Sequence, residues 1–96
     1  MEEQINKALL HEKICQELNQ IYQRKNERYG DSYAKLRKEL GRDSILYRVG
    51  DKYHRLQQLL RNPWLTHDDE SIEDTLMDLA NYCIIELVER QVDKNE

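Results

Sequence analysis

The sequence contains no phenylalanine, one proline, three glycines and two cysteines in 96 residues. So few turn formers, with no Val/Ile/Thr-rich run, argue against a turn-rich β-sandwich or barrel. No apolar stretch approaches the ~18 residues of a membrane span. Met1-Glu2-Glu3-Gln4 is acidic and lacks the basic-then-apolar order of a signal peptide. A basic excess is also missing: 15 Lys and Arg stand against 19 Asp and Glu, a net charge of −4. That balance argues against general nucleic-acid binding, which needs cations to displace counterions from phosphates. Cys15 and Cys83 have no CxxC spacing, so they carry no zinc signal. Both lie in helical patterns on apolar faces, and the expectation is two buried free thiols in a cytoplasmic protein. What remains is 35% charged and 39% hydrophobic, the balance of one small domain, 1–96, with a thin core.

The periodicity is helical throughout. Ile5, Leu9, Leu10, Ile14, Leu18, Ile21 and Tyr22 recur at three and four, predicting a helix over 4–28. Gly30 suits its end, and Asp31 or Ser32 can cap a short helix, 33–40, that Gly41 stops. A third helix is expected from the Asp43-Ser44 cap to about Arg61, with Leu46, Val49, Tyr53, Leu56 and Leu60 as its stripe. Gly50 inside it marks a possible close approach of a backbone or ligand, or simple tolerance. Pro63 breaks the pattern, and Trp64 is expected to pack on the core. Thr66 and Asp69 resemble a capping box for a last helix over 68–91, with a fraying tail at about 93–96. The architecture is therefore all-α: a helical bundle of three longer helices and one short one.

Several polar residues do not fit a plain solvent face. Glu70, Asp74 and Asp78 stand at i, i+4 and i+8, where like charges destabilise a helix by a few tenths of a kcal/mol per pair. A divalent cation would relieve that repulsion, and hard carboxylate oxygens suit Mg²⁺. Asn81 continues the line with a donor and an acceptor. On the third helix Arg48, Asp51 and Arg55 stand at i, i+3 and i+7. They read either as intrahelical ion pairs or as a metal ligand, Asp51, between phosphate-binding arginines, with Lys52 alongside. Lys25 and Asn26, beside Tyr29, are either part of a helix end or contacts to an anionic or aromatic ligand.

Three blocks stand in a distinctive order: Lys25-Asn26 with Tyr29-Gly30-Asp31-Ser32, then Ile45 to Lys52 with Arg55-Leu56, then Asp69 to Tyr82. Over about residues 12 to 90 they resemble nucleotide modification associated domain 1, a small phage and bacterial family. More distantly, the layout is similar to the all-α nucleoside triphosphate pyrophosphohydrolases, the MazG-like and dimeric dUTPase-like superfamily. The resemblance implies a MazG-like fold and Mg²⁺-dependent release of pyrophosphate from a (d)NTP. Asp51, Glu70 and Asp74 would be catalytic, and with Asp78 they would hold the metal. Lys25, Asn26, Arg48, Lys52, Arg55 and Asn81 would bind the nucleotide. Two departures are visible: Glu70 to Asp74 is a step of four where that superfamily has three, and Asp51 is preceded at i−3 by Arg48 where it has Glu. The alternative is a nucleotide-binding or sensing module without turnover; a lesser one is a small phage inhibitor acting through protein–protein contacts.

The last helix is apolar on more faces than a short monomer can cover. Leu76, Leu79, Cys83 and Leu87 form one stripe, and Met77, Ile84, Ile85 and Val88 another. The expectation is a homodimer or a dimer of dimers whose bundle core is shared between chains.

Overall fold

The computed structural model describes residues 4–65 and 71–95. Four α-helices carry the chain: α1 (Lys7–Tyr29), α2 (Ser32–Leu40), α3 (Ser44–Arg61) and α4 (Ile72–Asn95), with a short 3₁₀ turn, Pro63–Leu65, between the last two. Among the described residues there is no strand, and no helix is long and apolar enough to cross a membrane. Contacts divide the chain into two units, Met1–Gly30 and Asp31–Glu96.

In the first unit α1 begins three residues later than the periodicity alone suggests. Asn6 is the reason: its side chain accepts the Leu9 N–H at 3.0 Å and fixes the start. The helix ends at Gly30, whose φ of 66° lies in the left-handed region that glycine tolerates. Leu18 is the buried residue of this helix, while Leu9, Leu10 and Ile14 are exposed. Cys15 is exposed as well, contrary to the expected burial, and its thiol lies 3.7 Å from His11 Nδ1.

The second unit holds α2, α3 and α4. Asp31 caps α2 by accepting the Ala34 N–H, and Gly41, at φ 92°, closes it by donating to the Arg37 carbonyl at 2.8 Å. The packing of α3 on α4 dominates this unit. The inward arc of α3 is Arg48, Val49, Lys52, Arg55, Leu56 and Leu59. Three members of the expected apolar stripe, Leu46, Tyr53 and Leu60, face outward instead. Gly50 has no heavy atom within 4 Å of where a Cβ would stand, so it marks tolerance and no close approach. Gly50→Ala is accordingly expected to raise stability by ~0.5–1 kcal/mol in urea denaturation, through helix propensity alone. Trp64, expected in the core, is 75% exposed.

Helix α4 turns only part of its apolar surface inward. The face toward its own chain is mixed: Thr75, fully buried, then Asp78, Tyr82, Glu86, Glu89 and Asp93 at helical spacing, with Leu79 and Ile85 half-buried beside them. The opposite arc is apolar, and there Leu76, Ile84, Leu87, Val88 and Val92 remain 44 to 64% exposed. Cys83 lies on that arc and is exposed, again contrary to expectation. The helix runs to Asn95, past the expected end near Gln91, and the Asp93 carboxylate accepts from Arg37 at 3.0 Å. The Thr66–Asp69 capping box lies outside the described residues.

Candidate functional site

The seam between α3 and α4 gathers much of the predicted site. Arg48, Lys52 and Arg55, at successive steps of four and three, share the inward arc of α3. Lys52 Nζ lies 3.0 Å from Asp78 Oδ2, both side chains being largely covered. The Arg48 guanidinium sits over two rings, 5.0 Å from the Tyr33 centroid on α2 and 5.2 Å from the Tyr82 centroid on α4. Those rings are themselves stacked, with centroids 6.1 Å apart. Each cation–π contact contributes ~0.5–2 kcal/mol, more when water is excluded. Among the described residues no oxygen accepts from the Arg48 guanidinium, whose contacts are with the two rings. Along α4, Asp74 is exposed, Asp78 half-buried and Asn81 buried, so the line sinks into the protein over two turns.

Other predicted residues lie elsewhere. Asp51 is exposed, off the inward arc of α3; the rotation that brings Lys52 inward carries its neighbour outward. Lys25 and Asn26 belong to the first unit, near the end of α1. Glu70 lies outside the described residues. Asp74 has a structural role that spacing did not reveal. It accepts the Ser71 N–H at 3.3 Å, while the Ser71 hydroxyl oxygen accepts the Asp74 N–H at 3.0 Å. This is a reciprocal capping box at the start of α4, with the shorter Asp in place of Glu. Repulsion along Glu70–Asp74–Asp78 alone would make Asp74→Ala neutral or stabilising. With the box in place, we expect that variant to lose up to ~1 kcal/mol in urea or thermal unfolding. Among the described residues, no group of three or more His, Cys, Asp or Glu side chains is arranged to hold a metal ion.

A second polar cluster joins α2 to α4. Glu86, 5% exposed, accepts from Tyr33 Oη at 2.9 Å and takes a two-pronged bond from Arg37, Nε and Nη2 each at 3.0 Å. Arg90 Nε adds a fourth bond at 3.0 Å, and Arg37 Nη1 reaches Asp93 at 3.0 Å. Burial alone would push the Glu86 carboxyl up, but the bonds from Arg37, Tyr33 and Arg90 outweigh it and hold it below its ordinary value. Burial and then the Glu86 bond push the Tyr33 hydroxyl well above the usual phenol range, so it stays a donor. None of Tyr33, Arg37, Tyr82 and Glu86 was singled out from the sequence. The available signal was that Tyr82, Glu86 and Asp93 repeat at four and seven on the side of α4 away from its apolar arc.

Glu89 lies near this cluster without a cationic partner of its own. Burial first, then the negative charges of Asp31, Asp93 and Glu86, raise its carboxyl above the ordinary value, although Arg37 opposes them. A raised carboxyl binds protons more readily folded than unfolded, so its ionisation lowers stability as pH rises. Glu89→Gln should therefore raise Tm at pH 7, and that gain should shrink as the pH is lowered through the carboxylate range.

Fold and site together define an all-α protein whose helix seam combines a cationic stripe with stacked tyrosines. The chain matches nucleotide modification associated domain 1 over residues 25–89, and it belongs to that family. No curated protein and no solved structure matches it.

Proposed function

We propose that the chain binds a nucleotide through its phosphates at the α3–α4 seam. One observation carries this: the Arg48 guanidinium lies against the Tyr33–Tyr82 pair, 5.0 and 5.2 Å from the two ring centroids, with no described acceptor for its N–H groups. A guanidinium restrained by two rings has less freedom to lose, so its N–H groups can take a phosphate at reduced entropic cost. Lys52 and Arg55 extend the positive charge along the same arc, and Asn81 supplies a polar group one turn beyond Asp78. The family description, which associates the domain with nucleotide modification, supports the same class of ligand.

The second reading is Mg²⁺-dependent hydrolysis of a nucleoside triphosphate to monophosphate and pyrophosphate. It draws on Asp74 and Asp78, one turn apart on α4, with Glu70 and Asp51. Of these, Asp74 is engaged in its helix cap and Asp78 with Lys52. Asp51 faces away, which makes binding without turnover the better-supported reading.

A panel of (d)NTPs measured by thermal shift, in EDTA and again in Mg²⁺ with a pyrophosphate assay, separates the two. Saturable stabilisation in EDTA that Arg48→Lys abolishes supports binding at the seam. Pyrophosphate release in Mg²⁺ assigns the hydrolase. No shift with any nucleotide overturns both.

We also propose a homodimer, or a dimer of dimers, with a MazG-like shared core, because the apolar arc of α4 needs a partner. A cytoplasmic setting suits the two exposed free thiols, which a reducing compartment keeps unpaired.

A further inference from the structure

The end of α4 carries a cationic recess that the nucleotide reading does not use. It has a volume of about 270 Å³ and is lined by Arg37 from α2, Arg42 from the α2–α3 turn, and Arg90, Asp93 and Lys94 from α4. We propose that this recess binds a phosphate-class anion, with Arg42, Arg90 and Lys94 as its direct donors.

Charge is the first support. The recess and its floor set Arg37, Arg42, Arg90 and Lys94 against the carboxylates of Glu86 and Asp93, with Glu89 close by, which leaves an excess of one positive charge. This stands out in a chain whose net charge is −4. An anion is drawn to that excess.

Donor availability is the second. Arg37, 8% exposed, spends Nε, Nη1 and Nη2 on Glu86 and Asp93. It therefore forms a fixed floor that contributes field without having to move. Arg90 is bound only through Nε, which leaves its two Nη groups for an acceptor. Arg42 Nε stands 3.7 Å from Asp93, beyond ordinary hydrogen-bond length, and its side chain is 76% exposed. No described carboxylate pairs with Lys94. Two guanidinium forks and an ammonium converging on one opening suit tetrahedral phosphate oxygens.

Two features oppose an anion, and both are offset. The Asp93 carboxylate stands in the wall, but Arg37 already donates to it at 3.0 Å. The end of α4 carries the negative pole of the helix dipole, which Arg90 and Lys94 neutralise from the last two turns. The same chemistry fits free phosphate or the phosphate of a nucleotide.

The test is a titration of the full chain with inorganic phosphate, pyrophosphate and adenosine monophosphate, at constant ionic strength, by calorimetry and thermal shift. We expect saturable binding that survives Arg48→Lys and weakens at least about tenfold in the Arg42→Ala/Lys94→Gln double variant, one and a half kcal/mol or so. Both substituted side chains are exposed and outside the Glu86 bonds, so the variant should fold, which its circular dichroism checks. Phosphate binding unmatched by the monophosphate identifies a free anion as the source; equal binding identifies a nucleotide's phosphate. A non-saturating response identical in wild type and double variant is a bulk salt effect and overturns the proposal. Saturable binding that Arg48→Lys removes also overturns it, because the anion then sits at the seam.

Discussion

Glu86→Ala is expected to lower stability by about 3–5 kcal/mol, a large share of what holds a domain this small. The loss comes from what is left behind. Arg37 is nearly covered and would keep only Asp93, while the Tyr33 hydroxyl would lose its acceptor. An uncompensated buried charge costs far more than the pair contributes when intact. The contrast is a double replacement: Arg37→Met with Glu86→Leu removes both charges and should recover most of the loss. Urea denaturation of the two variants side by side measures it. A single variant as stable as the double would show that water solvates Arg37.

The same cluster sets an acid limit. Glu86 is held below its ordinary value near 4.5, so the folded chain resists protonating it while the unfolded chain does not. Its stabilisation is complete above the ordinary carboxylate range and is lost as pH falls through the lower, folded value. Wild type should lose stability on acidification more steeply than the double replacement does.

Ile84→Glu is expected to change the assembly. Ile84 stands mid-arc on the apolar side of α4, flanked at helical spacing by Leu87 and Val88 and extended by Leu76 and Val92. In a lone chain that arc faces water, and a glutamate there would be neutral within ~0.5 kcal/mol or favourable. In a two-fold interface each substitution buries a charge against its symmetry mate's surroundings, at a cost of several kcal/mol. Light scattering should show wild type at twice or four times the mass of one chain and the variant as a single chain or unfolded. A wild-type mass of one chain at micromolar concentration would refute the assembly. Leu46, Tyr53 and Leu60, aligned and exposed on α3, extend the apolar surface a partner would cover. Stable interfaces cover about 800 Å² per partner, more than one helix face supplies.

The sequence by itself determined the elements. With one proline and three glycines, helical periodicity had few competitors, and the positions of Gly30, Asp31, Gly41 and Pro63 divided the chain into the helices observed. Local chemistry sufficed because capping and helix termination depend on residues within one turn. Spacing alone aligned Arg48, Asp51 and Arg55 with Lys52 alongside; in the folded chain Arg48, Lys52 and Arg55 share the inward arc and Asp51 does not. Tertiary structure decided which face turns inward. Hydropathy places Leu76, Ile84 and Leu87 in a core, yet α4 presents Thr75, Tyr82 and Glu86 to its own chain. The reason is that Glu86 finds Arg37 and Tyr33 forty-nine and fifty-three residues away, and no periodicity along one helix records such a partner. Asp51 and Asp74 differ from expectation on the same ground. Small rotations and a shifted helix start, set by packing and by the Ser71 cap, separate side chains that spacing alone would align. A buried polar network specifies orientation through pairwise geometry between distant segments, and only the folded chain brings those segments together.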